Sequence, residues 1–164
     1  MTMKTLLLLR HAKSSWKDET IADHDRPLNK RGERDAPRMG ALMREEGLVP
    51  DLILTSSAKR ALSTAKIAAE ASGFDGEIRV SRDLYAAGPE SFLEALEALP
   101  GEYKTVLTVG HNPGLEELLE ALTDEAQSLP TAALAQIELD IEDWGDLQEA
   151  TGKLVNLWLP RNLK

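Results

Sequence analysis

The sequence contains no cysteine and no long hydrophobic run. The absence of cysteine excludes disulfide-stapled folds, thiolate zinc sites, iron–sulfur clusters and cysteine nucleophiles, and it fits a reducing compartment. The leucine run at residues 6–9 falls far short of the roughly 20 apolar residues that a membrane helix needs. It is also too short for the apolar region of a signal peptide. We therefore expect a soluble, cytoplasmic protein without a membrane partner.

The sequence also lacks internal repeats, low-complexity segments and linkers rich in proline, glycine or serine. Its 164 residues are the length of one ordinary domain, which is large enough to bury a core without disulfides or a structural metal. Hydrophobic residues make up 42% and charged residues 29%, a composition typical of a folded protein. We therefore predict that residues 1–164 form a single domain.

Positive charge is scarce overall but concentrated in the first part of the chain. The formal net charge of −9 argues against a nucleic-acid partner, because duplex binding depends on neutralising phosphates. Residues 1–66 nevertheless carry 13 Lys and Arg against 9 Asp and Glu, a net of +4, whereas the remainder carries 6 against 19, a net of −13. Two interpretations stay open: an imbalance among solvated side chains, or a local anion site.

Strand and helix patterns alternate along the chain. The predicted strands, which are continuous apolar runs or alternating patterns, cover residues 5–9, 51–55, 78–81, 105–109, 136–142 and 154–159. The predicted helices, which repeat apolar residues at helical spacing, cover residues 32–46, 58–69, 89–99 and 113–122. This order predicts an α/β fold, a three-layer sandwich whose central sheet is mostly parallel and carries helices on both faces.

Shorter patterns give local expectations. Residues 55–57 are hydroxyl N-cap candidates for the second helix, and Asn112 is the expected cap of the fourth, with Pro113 at its first helical position. The alternation in residues 136–142 predicts a strand that is buried on one face only. Trp144 and Trp158 belong either to the core or to an interface, and their place in amphipathic segments favours the core.

Residues that are able to carry chemistry follow three of the predicted strands. Arg10 and His11 end the first strand, Arg60 follows the second, and His111 ends the strand at 105–109. Because ligands of open α/β sheets bind beyond the carboxyl ends of the strands, we expect these side chains to converge beside two helix N-termini. Each of them alone is more typical of a structural histidine or a solvated arginine. Together they indicate an anion site, since arginine binds phosphate through two N–H donors and neutral imidazole is a nucleophile.

Four ordered blocks of the sequence resemble the histidine phosphatase superfamily. Residues 9–16 (LRHAKSSW) are similar to its Arg-His-Gly signature, and residues 26–32 (RPLNKRG) resemble the loop that follows. Residues 56–65 (SSAKRALSTA) match the second block and residues 110–113 (GHNP) the third. The first two blocks are most similar to the SixA-like phosphohistidine phosphatase branch. The resemblance implies a phosphoglycerate mutase-like fold and phosphatase activity.

The resemblance also implies a role for five residues. His11 is expected to be the nucleophile that takes the phosphoryl group, Arg10 and Arg60 to bind its oxygens, and His111 to donate a hydrogen bond. Arg26 is expected to bind substrate at the rim, although a loop arginine before proline is by default a surface residue. No metal or other cofactor is implied, and the three histidines show no close ligand spacing such as H-x-x-x-H.

The sequence departs from the superfamily pattern at several positions. Ala12 stands in place of the signature glycine and still permits close backbone approach, and Lys17 stands where the sugar-phosphate mutases carry asparagine. The glutamate proton donor that many members place after a later strand has no counterpart in residues 83–88. Asp83 and Glu90 are the nearby carboxylates, and surface solvation is the default interpretation of both.

The sequence therefore predicts a metal-independent phosphatase that works through a covalent phospho-His11, with phosphohistidine on a partner protein as substrate. A phosphorylated imidazole departs with little help from an acid, whereas an alkyl phosphate usually needs a positioned proton donor. Two alternatives stay open. One is a small-molecule phosphomonoesterase on the same scaffold, with Asp83 or Glu90 as the acid, and the other is a phosphate-binding module without turnover. The sequence does not determine the oligomeric state.

Overall fold

The computed structural model describes residues 3–163, which contain six strands and four α-helices. The strands are β1 (Lys4–Arg10), β2 (Leu52–Ser56), β3 (Glu77–Ser81), β4 (Thr105–Gly110), β5 (Leu134–Leu139) and β6 (Gly152–Trp158). The helices are α1 (Lys30–Glu45), α2 (Lys59–Ser72), α3 (Pro89–Glu97) and α4 (Gly114–Thr123). In this part of the chain no helix has the length and apolar character needed to cross a membrane. The predicted elements are all present, with boundaries that differ by a few residues.

The six strands form one sheet in the order β3-β2-β4-β1-β5-β6. The pairings β3–β2, β2–β4 and β4–β1 are parallel, whereas β5 is antiparallel to β1 and β6 is antiparallel to β5. The parallel strands are joined by helical crossovers, and the last two strands are joined by a shorter connection, which suits antiparallel pairing. The predicted mostly parallel α/β fold is confirmed.

Helices cover both faces of the sheet, and β1 shows why its sequence is continuously apolar. Leu6 and Leu8 belong to the core under α3 and α4, whereas Leu7 and Leu9 belong to the core under α1 and α2. All four side chains are fully buried. Successive residues of a strand point to opposite faces, so a strand covered on both sides needs apolar residues at every position. Burying each leucine contributes about 1.5–3 kcal/mol to folding.

The predicted caps of two helices are wrong. The N-cap of α2 is Ala58, and that of α4 is Pro113, neither with a side-chain cap hydrogen bond. Asn112 instead donates through Nδ2 to the carbonyl oxygen of Leu129 at 2.8 Å. The serines before α2 bind histidines from other segments, as described below. These polar side chains bind groups from other chain segments instead of capping the helices, because a hydroxyl or amide bonds as well to such a group as to a helix N–H.

The predicted solvated face of residues 136–142 is also wrong in part. Gln136 is buried, and its Oε1 accepts a hydrogen bond from Nδ2 of Asn156 on β6 at 2.8 Å. β5 lies between β1 and β6, so the polar positions of its alternating pattern do not all face solvent. The core interpretation of Trp144 is confirmed, since it is fully buried and its Nε1 donates to the Tyr103 carbonyl oxygen at 2.8 Å. Trp158 is partly buried against the core under α1 and α2.

Candidate active site

The carboxyl ends of three adjacent strands meet at one edge of the sheet. β4 lies between β1 and β2, and its last residue, Gly110, pairs with Arg10 at the end of β1. A cavity of about 220 Å³ opens at this edge. The residues that line it, most of which directly follow these strands, are Arg10, His11, Lys13, Ser14, Trp16, Arg60, His111, Asn112 and Thr131. The structure therefore brings together every predicted site residue except Arg26.

His11 lines the cavity, is buried, and has one ring nitrogen bound to the backbone. Its Nδ1 lies 2.8 Å from the carbonyl oxygen of Ala12, which can only accept, so Nδ1 carries the proton of the neutral ring. Nε2 is then left with its lone pair. Burial, together with the positive charges of Arg60 and Arg10, lowers the pKa of His11 to about 4. The imidazole is therefore neutral at physiological pH, the state in which it is a nucleophile.

His111 lies beside His11, with ring centroids 5.1 Å apart. Its Nε2 is 2.8 Å from Oγ of Ser56, the last residue of β2. The same Oγ accepts a hydrogen bond from the backbone N–H of Ala58 at 3.2 Å, so the hydroxyl proton is free to be donated to His111. Nδ1 of His111 is buried and has no partner among residues 3–163. Burial and the neighbouring His11 and Arg60 lower the pKa of His111 to about 3.

Two guanidinium groups supply the positive charge of the site. Arg10 donates through Nη1 to the carbonyl oxygen of Leu129 at 3.0 Å, and its burial lowers its pKa from the usual value. Arg60 stands in the first turn of α2 and is 8% exposed. It donates through Nη1 to the carbonyl oxygen of Asp23 at 2.7 Å and through Nη2 to the carboxylate of Asp23 at 3.1 Å. These bonds use two of the five guanidinium N–H groups, so Arg60 keeps unused donors in a side chain that lines the cavity.

Asp23 is a residue of the site that the sequence did not reveal. It opens a single turn of 3-10 helix, Asp23–Asp25, and its Oδ2 accepts a hydrogen bond from the Tyr85 hydroxyl at 2.6 Å. This bond and Arg60 hold the pKa of the Asp23 carboxyl below its usual value. The Tyr85 ring is also edge-on to His111, with centroids 5.7 Å apart. Asp23 thus connects Arg60 to the histidine side of the cavity, and no spacing pattern distinguishes it from the other acids of its loop.

His24 is the third histidine, and it binds next to this network rather than in the cavity. Its Nε2 is 2.8 Å from Oγ of Ser57, and its ring is edge-on to Tyr85 at 4.8 Å between centroids. Ser57 is therefore engaged by a loop side chain in the same way that Ser56 is engaged by His111. These two contacts explain why neither serine caps α2.

Arg26 is buried next to the cavity and does not line it, which corrects the default expectation of a surface residue. Its guanidinium carbon lies 3.9 Å from the ring centroid of Trp16, and its Nη1 is 3.4 Å from the carbonyl oxygen of Asp18. The two loop segments that carry Trp16 and Arg26 are joined by a hydrogen bond from Ser15 N to Pro27 O at 2.8 Å. Trp16, which the sequence did not single out, is the residue of this pair that reaches the cavity.

Asp83 and Glu90 lie outside the cavity that His11 lines. Both are exposed, and Asp83 lines a separate cavity of about 460 Å³ together with Leu84 and Glu94. The described residues that line the His11 cavity include no carboxylate. The structure therefore places neither of the two proton donors considered from the sequence beside His11.

Close packing explains two small residues in the signature blocks. Ala12 is fully buried, and its backbone N–H donates to Oγ1 of Thr64 on α2 at 3.0 Å. At Gly32, in the first turn of α1, a Cβ atom would collide with the backbone carbonyl of Lys13. The glycine therefore allows α1 to begin directly against the loop that follows His11.

Residues 6–85 match the model of the histidine phosphatase superfamily (branch 1). An uncharacterized chloroplastic protein of Arabidopsis thaliana is 34% identical over 158 residues, which cover 91% of this chain and 72% of the relative. An uncharacterized protein of Mycobacterium tuberculosis (strain ATCC 25618 / H37Rv) is 34% identical over 164 residues, with coverage of 93% and 100%. A solved structure of a proposed phosphohistidine phosphatase SixA from Nakamurella multipartitia superposes with a TM-score of 0.87 at 27% identity, covering 98% of each chain.

The fold and these matches place the chain in one class of enzyme: it belongs to the histidine phosphatase superfamily. Within that superfamily it falls in the SixA-like branch. The protein is therefore a phosphatase.

Proposed function

We propose that this phosphatase removes the phosphoryl group from phosphohistidine on a partner protein, through a covalent phospho-His11 and without a metal ion. One observation carries the proposal. The bond from His11 Nδ1 to the Ala12 carbonyl oxygen leaves Nε2 unprotonated, in a cavity that two guanidinium groups line. A neutral nitrogen nucleophile facing concentrated positive charge is suited to attack a phosphoryl group.

In the first step, Nε2 of His11 attacks phosphorus in line with the departing group. A new P–N bond forms to His11, and the P–N bond of the substrate phosphohistidine breaks. The electron pair of that bond leaves with the substrate imidazole, and if the distal ring nitrogen carries a proton, the leaving group is neutral imidazole. No proton donor from the enzyme is needed for this step.

Charge on the transferred oxygens is stabilised by Arg10, Arg60 and His111, all of which line the cavity. The guanidinium groups of Arg10 and Arg60 are held by their bonds to Leu129 and Asp23, and the neighbouring ring of His111 supplies a further N–H donor. Each donor of this kind contributes about 3 kcal/mol to transition-state stabilisation. Two guanidinium charges provide the neutralisation that metal ions bring to other phosphoryl-transfer sites.

In the second step, water attacks phospho-His11, the P–N bond to Nε2 breaks, and inorganic phosphate is released. The proton on Nδ1, held by the Ala12 carbonyl oxygen, allows His11 to depart as neutral imidazole. The same hydrogen bond therefore favours both the attack and the release, because it keeps one protonation state of the ring throughout the cycle.

The absence of a carboxylate from the residues that line the cavity supports phosphohistidine over alkyl phosphates as substrate. Asp23 is close, but Tyr85 and Arg60 lower its pKa, so it is ionised at neutral pH and is not a proton donor. Asp83 and Glu90, the acids of the small-molecule alternative, are exposed elsewhere. An alkoxide leaving group would therefore lack the acid that typically contributes a hundred- to ten-thousandfold in rate.

The proposal is tested by trapping the intermediate. The enzyme is mixed with a phosphohistidine protein that carries a labelled phosphoryl group and is quenched rapidly without acid. We expect a base-stable, acid-labile adduct on His11, none in His11→Ala, and an unchanged adduct in Glu90→Gln, which alters an exposed carboxylate. Turnover by His11→Ala at the wild-type rate would refute the proposed mechanism.

A further inference from the structure

Trp16 is an exposed aromatic side chain on the wall of the catalytic cavity. It is 60% exposed, whereas Trp144 is fully buried and Trp158 is partly buried. Leaving an indole in solvent forgoes most of the free energy that its burial would contribute. Among the residues that line the cavity, Trp16 is a large aromatic group with most of its surface in solvent.

The indole of Trp16 is held in place from one side. The guanidinium of Arg26 covers one ring face at 3.9 Å from the centroid, and Arg26 itself is buried. The loop below is fixed by backbone bonds from Ser15 N to Pro27 O at 2.8 Å and from Asn29 N to Lys13 O at 2.9 Å. A ring held in this way loses little conformational entropy when a ligand packs on its remaining exposed surface.

The in-line geometry of the reaction determines which part of the substrate lies near Trp16. In-line displacement places the leaving group on the side of phosphorus opposite Nε2 of His11, and because His11 is buried, that group lies on the side away from the buried ring. Trp16 lines the same cavity and is exposed. A planar ring gains more from packing on an indole than an aliphatic or ringless group does, because π-systems have preferred stacked and edge-on contacts. A ring that carries a proton on its distal nitrogen also presents a positive edge to the indole face.

We infer that Trp16 is a specificity-determining residue that packs against the imidazole ring of the phosphohistidine substrate, and that Arg26 is a positioning residue that acts through Trp16. This inference rests on the proposed function and adds the group that recognises the leaving ring. The P–N bond to the substrate imidazole breaks while the ring stays on Trp16. The contact is the same before and during the transfer, so it acts on KM more than on kcat.

The test compares two small substrates that share a P–N bond and differ in the ring. Phosphoimidazole carries the ring, and phosphoramidate has none. We expect Trp16→Ala to lower the ratio of kcat/KM for phosphoimidazole to that for phosphoramidate by about 3- to 10-fold, through KM. Trp16→Phe, which keeps an aromatic face, is expected to retain most of the ratio. Val80→Ala serves as a matched control, because Val80 is an exposed apolar residue on β3 away from the cavity.

Arg26 is tested by a double-mutant cycle. Arg26→Met keeps the apolar stem and removes the guanidinium, and we expect it to lower the same ratio by about 2- to 5-fold, the size of a cation–π contact. In the Trp16→Ala background the same change is expected to have no further effect on the ratio. A full effect of Arg26→Met in that background would show that Arg26 does not act through Trp16.

Three results would overturn the inference for Trp16. The first is a Trp16→Ala ratio equal to that of the wild type, and the second is an equal loss for both substrates. The third is a loss confined to a phosphohistidine protein, which would mean that Trp16 contacts the partner's polypeptide rather than the ring. Failure of the proposed function is distinguishable, since no labelled His11 would then form in the wild-type enzyme.

Discussion

Replacing Arg60 by lysine keeps a positive charge but removes the geometry that the site uses. Arg60 is buried and binds both the carbonyl oxygen and the carboxylate of Asp23 through separate nitrogens. This arrangement fixes the guanidinium plane, and Arg60 keeps N–H groups that neither bond uses. A lysine ammonium carries its three N–H donors on one nitrogen, so it cannot span the two Asp23 oxygens and two phosphoryl oxygens as the planar guanidinium does.

We expect Arg60→Lys to lower kcat by roughly a hundredfold, which corresponds to the loss of one transition-state donor at about 3 kcal/mol. The assay follows phosphate release from phosphoimidazole and the rate at which labelled His11 accumulates. Lys59→Arg is the matched control, since Lys59 is the exposed neighbour in the same helical turn and does not line the cavity. The ion pair with half-exposed Asp23 is worth at most about 1 kcal/mol, so the variant should fold normally in denaturant titration. A near-normal kcat in Arg60→Lys would show that Arg60 does not bind the transferred phosphoryl group.

Three further predictions concern acid, metal and protonation. Asp23→Asn is expected to lower kcat about fivefold, because a neutral amide holds Arg60 less firmly than a carboxylate does. Asp83→Asn is expected to leave kcat unchanged. A larger loss of kcat in Asp83→Asn than in Asp23→Asn would support the small-molecule alternative. Activity is expected to persist after exhaustive chelation, since residues 3–163 contain no cluster of three or more His, Asp or Glu that could hold a metal ion; recovery only with added metal would contradict this. The pKa of His11 is lowered to about 4 and the active ring is neutral, so kcat/KM is expected to lose its His11 contribution only as the pH falls through about 4. The unfolded ring binds its proton near pH 6.5, so the unfolding free energy should decrease as the pH is lowered from about 6.5 toward 4, and this dependence should weaken in His11→Asn.

The sequence by itself determined the order of elements and the positions where chemistry is placed. Apolar runs at β1, β2 and β4 mark strands covered on both faces, and helical spacing marks the four helices. Because parallel strands end at the same edge of a sheet, residues that directly follow β1, β2 and β4 had to meet. His11, Arg60 and His111 converge for this reason, and their convergence required no knowledge of the tertiary contacts.

Only the tertiary structure decided which partner each polar side chain takes. The local sequence predicts that Ser56 caps α2, but its hydroxyl lies beside His111. The alternating pattern predicts that Gln136 faces solvent, but its side chain binds Asn156 on β6. Asp23 is held at the site by Arg60, and the Trp16 ring is held by Arg26. Periodicity reports which face of an element is buried, because backbone geometry repeats locally. A hydrogen bond or a stacked ring depends instead on distances of a few ångströms between segments far apart in the chain, and only the packing of the whole fold sets those distances.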